Sequence, residues 1–394
     1  MIQSHCGFYY HRGNVFSKRE DLLDSIIRYN DFDAEQLVST GQDSNRKYIS
    51  YNFNDDVFSK IDWTIEPTVS LSDLYKLRAQ QIRDEYVYII FSFSGGSDSV
   101  EVLETFLEHG IFIDEIQTVH YNSLIAKRNE EDIKNDTSLS VMLEYRKAVI
   151  PKLNRVRKLS PNTKITEIDC SYYTYDQIAK HKFDYMGLSG KDTNGTGIIK
   201  PLRTNTFYMH NYNNKMFKPK SKVAFVRGYD KPILSIDEDR LFFRFSDIPL
   251  HGVKLLRSGT IDNLYTFEDF FWSPKMPLIP IKQSHVIKRF IETDPYLYDR
   301  VSGYNKETAE VVEPVERLYS RIIYKYTGTI QFAGAKPLSN PELKIINQIE
   351  KTHSNDIMKE RETYFNTKYH KIINKDLLKR PIFSRPYEIG VINK

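Results

Sequence analysis

One stretch limits what this chain can fold into more than any other. The run Tyr86-Val87-Tyr88-Ile89-Ile90-Phe91-Ser92-Phe93 passes directly into Ser94-Gly95-Gly96-Ser97-Asp98-Ser99-Val100. Aromatic and β-branched residues fill the run with a single serine among them, so it is apolar on both faces. A strand of that kind belongs inside a parallel sheet rather than at a solvated edge. A paired glycine then breaks the strand. Helical spacing follows from Ser97 to His109, and Gly110 stands where a C′ residue ends a helix. Strand, tight turn and helix together are the first half of a βαβ unit.

The alternation continues on either side. Ser70-Leu71-Ser72-Asp73 offers an N-cap cluster for a helix to about Arg83. Further strands are expected at Glu115–Tyr121, Lys164–Asp169 and Lys222–Arg227, and helices at Ile133–Leu159 (kinked or broken at Pro151) and Tyr175–Phe183. The fold class predicted is α/β, a doubly wound, mainly parallel sheet covering residues 67–247. Ile233–Ile236 and Arg240–Phe245 read as a hairpin around Asp237-Glu238-Asp239. Residues 1–66 form a separate N-terminal region, with a helix near Asp21–Tyr29, a short strand near Lys47–Asn52 and no assignable fold. Residues 248–394 are expected to be mainly helical, with helices at Ile281–Ile291, Glu313–Tyr324, Pro341–His353 and Asp356–Tyr369.

Composition removes several classes of function. Cys6 and Cys170 are the only cysteines in 394 residues, which excludes a disulfide framework and any metal site built mainly from thiolates. No stretch approaches the roughly 18 apolar residues needed to span a bilayer. The first ten residues hold Gln3, Ser4 and His5 where a signal peptide would be apolar. No membrane partner is expected, and a reducing, cytoplasmic setting fits. The net charge is +4, with 56 basic residues against 52 acidic. Such a balance does not by itself call for nucleic acid. Two local stretches keep that partner open: Lys215, Lys218, Lys220 and Lys222 beside Tyr208, Tyr212 and Phe217, and the basic tail Lys371–Lys394. Both also read as solvated, lysine-rich chain.

The chemistry is concentrated at Ser94–Ser99. A strand-to-helix junction exposes free backbone N–H groups at the positive end of a helix dipole, which makes an anion site. Gly95 and Gly96 let the backbone approach phosphate oxygens without a Cβ. Ser94, Ser97 and Ser99 add hydroxyls. Asp98 alone would repel phosphate, so its position calls for a bridging Mg2+.

Ser94-Gly95-Gly96-Ser97-Asp98-Ser99 resembles the Ser-Gly-Gly-x-Asp-Ser signature of the PP-loop ATP pyrophosphatases, or adenine nucleotide α-hydrolases. Every specified position of that signature matches. The resemblance covers roughly residues 70–247 and is nearest in flavour to the synthetase domain of asparagine synthetases; PP-loop domains of this make-up also occur in tailed phages. It implies ATP bound across the carboxyl ends of the sheet, with the β- and γ-phosphates in the loop. It implies cleavage to AMP and pyrophosphate, adenylating an acceptor oxygen for attack by a nitrogen nucleophile. The adenine would lie near Val119-His120-Tyr121. After the fourth strand, Gly228-Tyr229-Asp230-Lys231 is similar to the family's Gly-x-x-Asp-like element. There Asp230 would face magnesium beside Asp98, and Lys231 would face developing phosphate charge. Asp98, Asp230 and Lys231 are thus the candidate catalytic residues, and ATP and Mg2+ the candidate cofactors. A plain β-turn with a Lys-Pro exit also accounts for Gly228–Pro232.

Other features carry less. Lys282 and His285 share one helix face at i and i+3, with Lys288 at its edge; such a face would suit an acidic substrate or the adenylate, or is simply solvated. Cys170 ends a strand on the ligand edge, but a lone thiol is also an ordinary core residue. Cys6-Gly7 and His11-Arg12-Gly13 are faintly similar to the glutaminase half of asparagine synthetases; some 90 residues before the loop are too few for that whole domain. Gly187–Thr193 lacks the spacing of a Walker A loop and reads as a mobile loop. The expected function is an AMP-forming, ATP-dependent ligase acting on a small molecule. A nucleotide-binding module without turnover and a tRNA- or DNA-base-modifying enzyme are the alternatives.

Overall fold

The structure is a computed structural model that describes residues 7–16, 19–29, 49–120, 145–169, 222–229, 231–247, 266–302, 315–326 and 382–393, with Thr367. The expected helices at 175–183 and 341–353, that at 356–369 apart from Thr367, the loop 187–197 and the lysines at 215–220 lie outside those residues. So do Cys6, Tyr121, Cys170 and Asp230.

The N-terminal strands β1 (Phe8–His11), β2 (Asn14–Phe16) and β3 (Ile49–Asn52) form an antiparallel sheet in the order β2-β1-β3, with helix α1 (Arg19–Tyr29) between β2 and β3. A short helix α2 (Asp55–Phe58) leads toward α3 (Leu71–Glu85). Ser70 caps α3 as its sequence predicts: its Oγ accepts the Asp73 amide at 3.1 Å and donates to the Asp73 carboxylate at 2.6 Å.

The central sheet has five strands, all parallel: β4 (Tyr88–Ser92), β5 (Glu115–His120), β6 (Lys164–Asp169), β7 (Val223–Arg227) and β10 (Thr266–Asp269). They lie in the order β10-β7-β4-β5-β6. Numbered as they occur in the chain and read from the β6 edge, that is 3-2-1-4-5, so the winding reverses between β4 and β7. Ile89, Ile90 and Phe91 of β4 are fully buried, as the run from Tyr86 to Phe93 requires of a central strand.

Helix α4 (Ser97–Glu108) connects β4 to β5 and ends on Gly110 at φ 62°. The Ile111 amide reaches Phe106 O at 2.9 Å and the Gly110 amide reaches Leu107 O at 3.2 Å, the paired bonds of a Schellman end. Before β6 the chain runs through a π-helical turn, Tyr145–Val149, into α5 (Ile150–Leu159). Pro151 does not break this helix. It stands in the first turn of α5, where a missing N–H costs little, and the wider turn precedes it.

Past β7, strands β8 (Ile233–Asp237) and β9 (Arg240–Arg244) form the expected hairpin. Glu238 and Asp239 both take positive φ, 46° and 63°, as a two-residue turn matched to strand twist demands. The described residues beyond 247 supply α6 (Leu278–Thr293), α7 (Pro295–Ser302) and α8 (Val315–Ile323), and also two strands. Strand β10 adds the edge of the parallel sheet, and β11 (Tyr387–Val391) pairs with β9. One aromatic cluster joins these parts: Phe53 lies 4.4 Å from Phe245, Trp63 lies 4.6 Å from Tyr387, and Phe245 lies 5.3 Å from Trp272, between ring centroids. Among the described residues no helix is long and apolar enough to cross a membrane.

Candidate functional site

The strand order reverses between β4 and β7, and in sheets wound this way ligands bind at the carboxyl ends of the strands beside such a reversal. Ser94–Ser99 lies at that point, because it follows β4. Ser92 is paired with Arg227, so the residues after each strand emerge side by side.

Backbone geometry shapes the loop. Gly95 has φ 80°, and a Cβ there would stand 2.7 Å from Val149 Cγ2. Gly96 is the N-cap of α4 and brings no side chain to the first-turn amides. Ser94 Oγ lies 3.2 Å from Ser99 Oγ, and Ser99 donates to Gly96 O at 2.9 Å. Gly228, just past β7, closes on this turn from the neighbouring strand. A Cβ on it would come within 2.9 Å of the Asp98 carbonyl and 3.0 Å of the Ser99 amide nitrogen.

Asp98 and Lys231, far apart in sequence, meet here. Lys231 Nζ donates to both carboxylate oxygens of Asp98, at 2.6 and 2.8 Å. The lysine side chain is 10% exposed and the aspartate 23%, so water reaches the pair mainly from the aspartate side. The N-terminal end of α4 further favours the negative charge. Gly228 and Lys231 thus lie against the loop.

Two further residues join them that no motif announced. Tyr324, just after α8, donates to Asp98 Oδ1 at 2.7 Å, and Ser320 Oγ lies 3.2 Å from Ser97 Oγ. The same stretch runs on along α4. The Tyr326 amide donates to Glu101 Oε2 at 2.9 Å, and Lys325 reaches Glu108 at 2.6 Å. Burial raises the Glu101 carboxyl to about 7, with the neighbouring Glu108 and Glu104 adding to the shift against the amide that joins Lys325 to Tyr326.

Val119 and His120 end β5, the strand next to β4. The π-helical turn connects them to the loop. Val149 faces Gly95, while the Tyr145 ring sits 4.8 Å from the His120 ring. His120 Nδ1 stands 3.7 Å from Asp169 Oδ2, at the equivalent end of β6. Burial lowers the His120 pKa, and the charges of Asp169 and Glu167 pull it back only in part. The imidazole is thus held toward its neutral form, suited to lie against an uncharged ring.

The lysines and histidine on the face of α6 are already engaged within the protein. Lys282 bonds Glu66 at 2.7 Å and Pro67 O at 2.8 Å, His285 Nε2 contacts Trp63 O at 2.9 Å, and Lys288 pairs with Glu292 at 2.5 Å. These side chains fasten α6 to the segment before α3 and to its own next turn. Arg227 is likewise structural, bonded through Nε to Asp269 at 2.9 Å across the sheet edge.

The described residues hold no group of three or more His, Cys, Asp or Glu placed to bind a metal ion. Comparison of the chain with known protein families and with curated proteins gave no match.

Proposed function

We propose that Ser94–Ser99 binds ATP with magnesium, in the manner of a PP-loop, and that the protein cleaves ATP to AMP and pyrophosphate to activate an acceptor oxygen. The observation that carries this reading is positional. A signature matching at every specified residue stands where the sheet order reverses, with Gly228 and Lys231 closing on it from the next strand.

The residues suit the ligand. At Gly95 and Gly228 a side chain would strike Val149 and the backbone of Asp98 and Ser99, so glycine lets the loop pack closely between its neighbours. Ser94, Ser97 and Ser99 supply hydroxyls, and the first-turn amides of α4 supply N–H donors for an anion. Magnesium held largely by phosphates needs only one or two protein carboxylates; Asp98 is one, and Asp230 is the candidate for a second. Bound there, the ion would neutralise phosphate charge. Lys231 would carry its ammonium to the oxygens that gain charge as pyrophosphate leaves. His120 and Tyr145 would flank the base.

Exchange of labelled pyrophosphate into ATP, across a panel of carboxylic acids and amides, tests the reading. The expectation is exchange with at least one acceptor, reduced about 10²-fold in Lys231→Met. Uptake of ATP without exchange or AMP release from any acceptor would instead favour a nucleotide-binding module. That second reading has its own observation, since both Asp98 oxygens are engaged within the protein.

A further inference from the structure

Ser320 and Tyr324 are four residues apart, and the Tyr324 amide still bonds Ser320 O at 3.1 Å, so one helical turn presents both to the same side. They contact consecutive residues of the loop, Ser97 and Asp98. The Tyr324 ring is fixed from behind, stacked on Phe271 at 5.2 Å and 28°. Lys231 Nζ stands over the same ring, 5.8 Å from its centroid.

Lys231 has two demands on it if the loop takes a nucleotide. It neutralises Asp98, and it is the cation placed to meet phosphate. Moving from one to the other removes the cation that orients a partly buried carboxylate, and the carboxylate must keep that orientation for magnesium to take the lysine's place on it. Such a group then recaptures the lysine or turns away, unless another donor holds it. The Tyr324 hydroxyl is that donor, and it does not depend on where Lys231 points.

We infer that Tyr324 is a positioning residue of the nucleotide site: it holds Asp98 in place so that Lys231 can shift from the carboxylate to a phosphate. The inference rests on the nucleotide reading and deepens it. Ser320 supports the same arrangement by steadying Ser97.

Calorimetric titration with magnesium and ATP tests it, using Tyr324→Phe, which keeps the stacked ring and removes the hydroxyl alone. The Kd is expected to rise about tenfold, the worth of one hydrogen bond to a charged group, with little change in thermal midpoint. In an Asp98→Asn background the same change is expected to cost almost nothing, because the two residues act as one unit. Equal losses in both backgrounds, or a fallen midpoint that accounts for the weaker binding, would mean that Tyr324 only supports the fold, and would overturn the inference. Unaltered affinity in Tyr324→Phe, with the unchanged protein binding normally, overturns the inference alone. An unchanged protein that takes up no nucleotide overturns the reading of the loop and this role with it.

Discussion

Gly228 acts through the side chain it lacks. The three atoms a Cβ would strike all belong to the backbone of Asp98 and Ser99, and backbone cannot rotate out of the way. Gly228→Ala must therefore displace either the end of β7 or the first turn of α4. We expect a loss of about 1–3 kcal/mol in denaturant unfolding, typical of overpacking, and nucleotide affinity weakened by at least an order of magnitude. Unaltered stability and affinity would show that the two segments are not packed as described. The glycines of the loop were legible in the sequence because their neighbours announce a turn. The need for Gly228 was legible only as a resemblance, since its partners lie some 130 residues earlier.

Helix α4 shows what a single element can and cannot reveal. Its span and its glycine stop follow from local spacing, and both appear in the structure within a residue. Its acidic residues do not explain themselves locally. Glu104 is buried against Lys152 and Arg155 of α5, while Glu101 is buried against the stretch that follows α8. In the folded chain Glu101 keeps its proton up to about pH 7, against 4.5 ordinarily. The folded state therefore binds more protons between those values, and stability falls as pH rises from about 4.5 to 7. The total is about 3 kcal/mol, and the whole cost is present above pH 7. Glu101→Gln keeps an oxygen for the Tyr326 amide and removes the charge. It is expected to gain stability over the unchanged protein at pH 8 and to gain almost none at pH 4.5, in denaturant unfolding at each pH. A gain independent of pH would contradict this assignment.

At the scale of the whole molecule, the parallel sheet was predictable where its strands are apolar and closely followed by helices. Strand β10 escaped prediction for a physical reason. Thr266-Phe267-Glu268-Asp269 carries two acidic residues that look solvated, and their compensation comes from distant segments. Glu268 bonds Arg78 of α3 at 2.5 Å, Lys275 at 2.6 Å and Tyr86 at 2.5 Å, and Asp269 bonds Arg227. Burial alone would raise the Glu268 carboxyl, but these charges and donors outweigh it and hold it at about 2. Tyr324 and Ser320 were hidden for the same reason: a hydroxyl 226 residues from its acceptor leaves no local pattern. Residues beyond 247 thus finish the sheet and brace the loop, so the site draws on both halves of the chain.

The proposed activity requires the junction of β4 and α4 to hold the phosphates of ATP. A crystal structure with magnesium and an ATP analogue that resists cleavage between the α- and β-phosphates tests it most directly. We expect β- and γ-phosphate oxygens about 3 Å from the amides and hydroxyls of Ser94–Ser99, with Lys231 Nζ moved from Asp98 toward them. Nucleotide bound at another place, or a loop left bare at saturating analogue with Lys231 still on Asp98, would contradict it.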